Sequence, residues 1–391
     1  MATIRPFVAL RPQEVYLDKM LTLKASPCNG GSNGFIARML DNGHPENKEL
    51  TNAHLLANLK KMMLKGDFYQ EEHPCIFIYE ITKGTHTQTG VWAVTDLDDF
   101  DRGHIKTHES TVNCNSYSLM NYRNEVGLEG DPLLLTYRPN RTISLLLNQI
   151  KQAEASSVYY SNKIFHRIWR VYDLKAIREL SLCFSALQHV YLADGHHRLV
   201  AAAKCRNIES KTSQEAKNFN YISSFYLSSD QLSIKGSHRV IIPADDVYID
   251  QVFRALKKLF SVTKSPRNEP VIPSMPREFG LFMEDKWYRM VYKLVDKNVM
   301  PDACLLQQRV FEPLFNIENP ETDEQLIAVG GADALSEIQQ ILAENPAAIA
   351  FTLAVMNADQ LMDIAQQGIV LPPKSTWIEP KVPFGLLLRK L

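Results

Sequence analysis

The chain has 391 residues, 43 basic and 44 acidic side chains, and a formal net charge of −1 at pH 7. With 45% hydrophobic and 22% charged residues it is ordinary globular matter, which excludes disordered, collagen-like and fibrous classes. The charge balance leaves no electrostatic footprint for nucleic acid or an anionic membrane, so neither partner is expected. At roughly 150 residues per domain the length suggests two or three units. The longest largely apolar run, 347–356, interrupted by Thr352, falls short of the about 18 residues that a spanning helix needs. The opening Met1-Ala2-Thr3-Ile4-Arg5 has no basic stretch followed by an apolar core, so a secretory signal is not expected. No Cys-x-x-Cys occurs among the six cysteines, which read as buried thiols of a reducing cytosol. The expected location is cytoplasmic.

In chain order, glycine and asparagine make residues 27–34 a tight or flexible loop. A helix is predicted over 49–64. The apolar runs 75–79 and 90–94 flank a polar turn and read as a hairpin. Residues 132–137 predict a short buried strand, 143–155 a helix, 165–172 a strand and 174–185 a helix. A strand over 189–193 runs into an alanine-rich helix over 196–206, and another strand follows over 221–227. Residues 252–260 predict a helix. Four prolines between 263 and 278 then predict a long loop. Beyond it come strands at 279–283 and 287–292, helices at 303–315 and 332–344, a strand at 347–355 and a helix at 358–367. This mixture predicts an α/β (mixed α+β) fold. The change from a motif-dense half to the proline-rich loop suggests a first domain over 1–245. A C-terminal α/β portion would cover 246–391, with its final loop, 371–381, available to fold back onto the site.

Most of the chemistry sits in Ala193-Asp194-Gly195-His196-His197-Arg198. An apolar strand reaches Asp194-Gly195 and a helix starts at once. The first turn of a helix has unpaired backbone N–H groups, and its dipole favours an anion. Three cationic-capable side chains in that turn oppose the dipole, and a bound anion would relieve the conflict. Arg198 can fork onto two oxygens of one phosphate. A plain strand–helix junction with Asp194 as its cap fits the same residues. Asp194 could equally hold a metal or orient a substrate. Three further clusters stand out. His108 and Glu109, near Thr107, Ser110 and Thr111, pair two proton-moving groups with hydroxyls. His238-Arg239 adds charge, and Lys374-Ser375-Thr376, after Pro372-Pro373, offers phosphate-binding groups on a stiff loop. Ordinary surface or loop packing accounts for each of these equally simply.

Several blocks resemble a known family in both content and order. They are residues 5–12 (Arg-Pro-Phe-Val-Ala-Leu-Arg-Pro), Lys106-Thr107-His108-Glu109, Leu134-Leu135-Thr136-Tyr137, the Asp-Gly-His-His-Arg block at 194–198, His238-Arg239 and the Pro-Pro-Lys-Ser-Thr ending at 372–376. Together they resemble the domain-of-unknown-function family ten-fifteen (DUF1015) over nearly the whole chain. The central block is also similar to the phosphate-binding turn of the ParB and sulfiredoxin-like superfamily. That superfamily includes partition proteins, sulfiredoxins and free-serine kinases. The resemblance implies a ParB/sulfiredoxin-like core that binds nucleotide phosphates at Gly195, His196, His197 and Arg198. His196 stands where sulfiredoxin has cysteine, which argues against sulfinic-acid repair, and no basic helix-turn-helix is evident for a partition protein.

The implied activity is a Mg²⁺-dependent phosphotransferase using ATP or ADP on a small hydroxyl substrate, free L-serine first. Glu109 would be the base, with His108 or Asp194 as alternates, and Asp194 the metal ligand. His238, Arg239, Lys374, Ser375 and Thr376 would add contacts to phosphate. A nucleotide-binding regulator and a phosphate-ester hydrolase are the other classes the same residues allow. Two departures from the family pattern stand out. Ser26-Pro27-Cys28-Asn29-Gly30 replaces a Pro-Pro-Tyr-Asp-Val-like block, and Thr107 stands where proline is usual.

Overall fold

The computed structural model describes residues 2–13, 52–111, 113–206, 218–244, 247–294 and 300–391. The expected loop at 27–34, with its departure at 26–30, lies outside the described residues. So does the predicted boundary at 245/246. The chain divides into two compact units. One holds residues 1–107, 111–232 and 380–391, and the other 108–110 and 233–379. The division therefore differs from a single cut at 245/246. The chain changes unit at 232/233, and the expected loop 371–381 is shared out, 371–379 to the second unit and the rest to the first. The physical reason is strand pairing: the terminal strand Leu388–Lys390 bonds to Ala9–Pro12 and Leu128–Glu129.

The first unit is built on a nine-stranded mixed sheet. Its spatial order is Ile105–Lys106, Val190–Asp194, Leu133–Tyr137, Tyr221–Ser228, His86–Asp96, Ile76–Lys83, Ile164–Val171 and Ser157–Ser161, with Ile4–Arg5 paired beside His86–Asp96. The hairpin forms as expected, Ile76–Lys83 against His86–Asp96. Two pairings are parallel, Val190–Asp194 with Ile105–Lys106 and Tyr221–Ser228 with Leu133–Tyr137. The central strands are buried almost throughout because both faces are covered, and the polar residues they carry, such as Thr95, Thr136, Ser223 and Ser224, are buried with them. Helices Arg141–Ile150 and Leu174–Ser185 contribute Ile143, Leu147, Leu180 and Phe184 to one core with strand residues such as Leu135 and Leu192. Each helix opens on a side-chain cap: Asn140 accepts from the Ile143 N–H and Asp173 from the Ala176 N–H. The helix His196–Arg206 buries Leu199, Ala201, Ala202 and Cys205, and its small residues let the helix Asn113–Val126 pack close.

The second unit carries a six-stranded antiparallel sheet in the order Phe260–Lys264, Lys286–Tyr292, Glu278–Met283, Ile349–Leu353, Ser237–Ile241 and Leu326–Gly330. Period-two alternation sorts its residues onto two faces. Ile241, Leu281 and Phe351 join a core with helix residues Val252, Leu256 and Leu305. Their neighbours Val240, Phe282 and Ala350 pack instead with Ala334 and Ile338 of the helix Ala334–Glu344. The strands Ser237–Ile241 and Leu326–Gly330 are not predicted from the sequence, and two predicted elements take a different form. The strand Phe260–Lys264 runs into the predicted loop, because pairing with Lys286–Tyr292 supplies its bonds before the prolines begin. The predicted helix 303–315 contains a π-helical turn, Gln307–Phe311, between two α segments. Across the described residues the fold is mixed α/β, as the element mixture predicts.

Candidate functional site

In the first unit the strand Val190–Asp194 leads into the helix His196–Arg206 through Gly195 alone. Gly195 sits at φ +100, a conformation that L side chains rarely adopt. An added Cβ would lie 2.8 Å from Arg198 Nη2 and 2.9 Å from Leu133 Cδ2. The turn thus needs glycine for both backbone and space. A register shift between Leu192 and Asp194, in the pairing with Leu133–Tyr137, sets Asp194 off the regular ladder. Such bulges re-aim a side chain at the end of a strand. The Leu199 N–H bonds to the Gly195 carbonyl, which closes the first turn of the helix directly on the glycine.

The side chains around this turn are arranged more specifically than the motif alone indicates. Arg198 Nη1 pairs with Asp131, and Nη2 donates to the Pro132 carbonyl at 3.2 Å. The fork expected to grip phosphate is therefore directed at Asp131 and the backbone. Burial also lowers the Arg198 pKa to about 10, which leaves the group charged at neutral pH. Asp194 is bonded by Lys381 Nζ at 2.9 Å and lies 3.8 Å from Arg198 Nη2. His196 is buried and His197 half-buried. Asp131 escaped the sequence reading, and Lys381 entered it only as the end of the loop 371–381, without a role of its own. Each is far from the motif along the chain, and no local pattern marks either one.

The sequence reading expects Asp194 to hold a magnesium ion. The carboxylate of Asp194, its expected ligand, is engaged by Lys381. Among the described residues no group of three His, Cys, Asp or Glu side chains could hold a metal ion.

The other expected residues gather in the second unit. The segment 108–110 forms a parallel bridge with Leu371, whose N–H donates to the His108 carbonyl at 2.7 Å. This brings Glu109 to the Pro-Pro-Lys-Ser-Thr loop, where the Lys374 N–H donates to Glu109 Oε1 at 2.9 Å. Lys374 itself is exposed and sits at φ 56, left-handed for a residue with a side chain. The Ser375 hydroxyl donates to the Pro372 carbonyl at 2.6 Å. His108 is fully buried, with Nε2 3.4 Å from Thr376 Oγ1.

His238 and Arg239, expected to add charge to the site, serve this loop differently. Arg239 is buried, and its Nη2 donates to the carbonyls of Pro373 at 3.0 Å and Lys374 at 3.1 Å. Its Nη1 donates to the Ser237 hydroxyl and the His238 carbonyl. The guanidinium is thus spent on holding the loop. Burial, helped by the neighbouring Arg239 charge, lowers the His238 pKa to about 4. The Leu353 N–H donates to His238 Nδ1, which fixes that nitrogen as an acceptor. His238 is therefore neutral at pH 7 and adds no positive charge.

Comparison with known proteins places this geometry in context. No curated protein matches the chain. Among solved structures, a free serine kinase variant in complex with ADP aligns at TM-score 0.41 and 15% identity, covering 75% of this chain and 92% of that one. A conserved hypothetical protein from Pyrococcus furiosus aligns at 0.40 and 14%, covering 77% and 94%. SbnI with a C-terminal truncation, from Staphylococcus aureus, aligns at 0.40 and 10%, covering 75% and 87%. Among the described residues no helix is long and apolar enough to cross a membrane. The family model described as Protein of unknown function (DUF1015) matches residues 37–305. That span is more than half of the chain, and the protein belongs to the DUF1015 family.

Proposed function

We propose that the protein is a cytoplasmic phosphotransferase that moves the terminal phosphoryl group of ATP or ADP to the hydroxyl of a small molecule, free L-serine being the first candidate. The observation that carries this reading is the turn at 195–198. A glycine that no other residue can replace without strain opens a helix, and the dipole of a helix N-terminus favours an anion such as phosphate. Lys381 and Arg198, in the same unit, carry positive charge beside it. In the proposed reaction the acceptor hydroxyl oxygen bonds to the terminal phosphorus. The bond from that phosphorus to the bridging oxygen breaks, and the shortened nucleotide leaves with the electron pair. The hydroxyl proton passes to a carboxylate. Positioning and charge neutralisation supply most of the rate in such chemistry.

Two carboxylates are candidates for that proton: Asp194, which ends the strand before the turn, and Glu109, which the sequence reading favours. Mg²⁺ would travel on the nucleotide, since this cation is commonly held by waters and phosphates with one or two carboxylates. The test is phosphoserine formation from L-serine, Mg²⁺ and either ATP or ADP, run with Arg198→Ala, Asp194→Asn and Glu109→Gln. Product that falls with one carboxylate variant and not the other identifies the base. Nucleotide binding without product from either donor overturns the kinase reading in favour of a binding-only regulator. Free phosphate released without an acceptor favours a hydrolase.

A further inference from the structure

Behind the turn, within the first unit, lies a recess of about 50 Å³. Its polar lining is Tyr122, Arg123, Glu129, Asp131 and Arg198, against an apolar wall that includes Leu119 and Ile222. Two observations mark it as a binding site. The Tyr122 hydroxyl, Arg123 Nε and Arg198 Nε are all buried donors with no hydrogen-bond partner. Tyr122 and Arg123 are 4% and 5% exposed, so solvent does not meet that need. Buried donors left unsatisfied typically cost about 1–3 kcal/mol each, and three lining one recess call for an acceptor.

The second observation is charge. Glu129 is clamped between two arginines: Arg123 pairs with one oxygen, and Arg389 reaches the other at 2.8 Å. Asp131 pairs with Arg198. With Asp194, which lies 3.8 Å from Arg198 and is bonded by Lys381, four cationic groups face three carboxylates and leave one uncompensated positive charge, in surroundings where Arg123, Glu129 and Arg389 are all under 10% exposed. An uncompensated buried charge is strongly destabilising. A single negative charge brought by a ligand cancels it, whereas a phosphate at about −1.5 to −2 overshoots.

We propose that this recess binds the carboxylate end of a small monoanionic acid, the acceptor in the phosphotransferase reading on which this assignment rests. The size supports the class. About 50 Å³ of water-accessible space holds on the order of three or four waters, enough for a carboxylate on two or three carbons and too little for a nucleoside. The acid's oxygens accept from Tyr122, Arg123 and Arg198. Glu129 and Asp131 stay on their arginines, and the hydroxyl or amino end is left toward Arg198 and the turn.

The experiment is calorimetric titration of the full-length protein, without nucleotide, using L-serine, L-serine methyl ester and inorganic phosphate as separate probes. L-Serine is expected to bind, its ester and phosphate to bind at least about tenfold more weakly, and Tyr122→Phe to weaken L-serine about tenfold through the lost hydrogen bond. Because Arg123→Ala would remove one of the two arginines that clamp Glu129 and destabilise the fold, Arg123→Lys is the second variant. It keeps the charge, loses Nε, and is expected to weaken L-serine comparably. Equal binding of ester and acid, preference for phosphate, or L-serine affinity unchanged in both variants overturns the assignment. So does the absence of binding by any probe. Tyr122-dependent L-serine binding without phosphoryl transfer would retain the recess and discard the kinase reading. Phosphoserine production with an unchanged KM for serine in Tyr122→Phe would do the reverse.

Discussion

The Lys374 N–H donates to Glu109 Oε1 at 2.9 Å, so the two residues expected to work on phosphate and proton are tied by a backbone bond. That bond accompanies an unusual conformation, since Lys374 sits at φ 56. A left-handed residue with a side chain costs about 1–2 kcal/mol relative to glycine, which reaches that region freely. Lys374→Gly is therefore expected to leave the protein as stable as before or raise its stability by up to about 1 kcal/mol, while weakening any function that uses the exposed ammonium. Urea unfolding alongside phosphoserine assays checks both halves. A loss of stability would mean that the lysine stem packs on the loop.

Arg239 holds the same loop from below, through the Pro373 and Lys374 carbonyls. Removing it leaves the Pro373 carbonyl without this charged donor and opens a space where a long buried side chain lay. Arg239→Ala is expected to cost on the order of 3 kcal/mol and to make the segment 371–376 the first site of limited proteolysis. If the variant unfolds at the wild-type denaturant midpoint and resists protease, the clamp is not what orders the loop.

The distinction between what was legible in the sequence and what was not runs through these same residues. The junction at Gly195 was readable because strand, turn glycine and alanine-rich helix are neighbours in sequence, and their order alone predicts a sharp turn. The strand Val190–Asp194 and the helix His196–Arg206 fall where that order puts them. Helix starts at Asn140, Asp173 and Asn357 likewise carry their caps locally. The partners were not readable. Asp131 comes from the loop before one strand and Lys381 from near the C-terminus, and only tertiary folding brings them to Arg198 and Asp194. Arg239 shows the converse. Its residue type suggested a charge for phosphate, and burial beneath a proline-rich loop turned that charge toward backbone carbonyls. Residues 307–311 look helical by composition, and nothing in their spacing marks the extra residue of a π turn.

His238 gives the second unit a defined acid sensitivity. Burial, with the Arg239 charge beside it, holds its pKa near 4, below the ordinary value of 6.5. The unfolded chain therefore binds more protons than the native one between those values, and stability falls as the pH falls. The contribution is full above about pH 6.5 and is lost progressively toward pH 4, on the order of 3 kcal/mol in all. His238→Gln keeps an acceptor for the Leu353 N–H and removes the titration. Its loss of stability between pH 7 and pH 4.5 should be about 2–3 kcal/mol smaller than that of the wild type. His166, also lowered to about 4 by burial, is present in both proteins and cancels from the comparison. Parallel pH dependences would show that His238 titrates alike in the native and unfolded chains, against the depressed value.

The sharpest structural prediction concerns Gly195. Its φ of +100 is unfavourable for alanine whatever the surrounding space, and the space is also taken, by Arg198 Nη2 at 2.8 Å and Leu133 Cδ2 at 2.9 Å. Leu133 is fully buried and cannot yield. The Arg198 guanidinium can move only by giving up Asp131 or Pro132. Gly195→Ala should therefore cost about 1–3 kcal/mol of backbone strain, with a further loss if the Arg198 pair breaks. The two contributions separate in a double-mutant cycle with Asp131→Asn. If the alanine displaces Arg198 from Asp131, the second substitution adds little to the first, and the coupling reaches about 1 kcal/mol or more. Additive losses would place the whole cost in the backbone. In either case nucleotide binding at the turn should fall at least about tenfold, because the first-turn N–H groups rotate with the residue that precedes them. An alanine variant that binds ADP as the wild type does would remove the turn from the phosphate-binding reading.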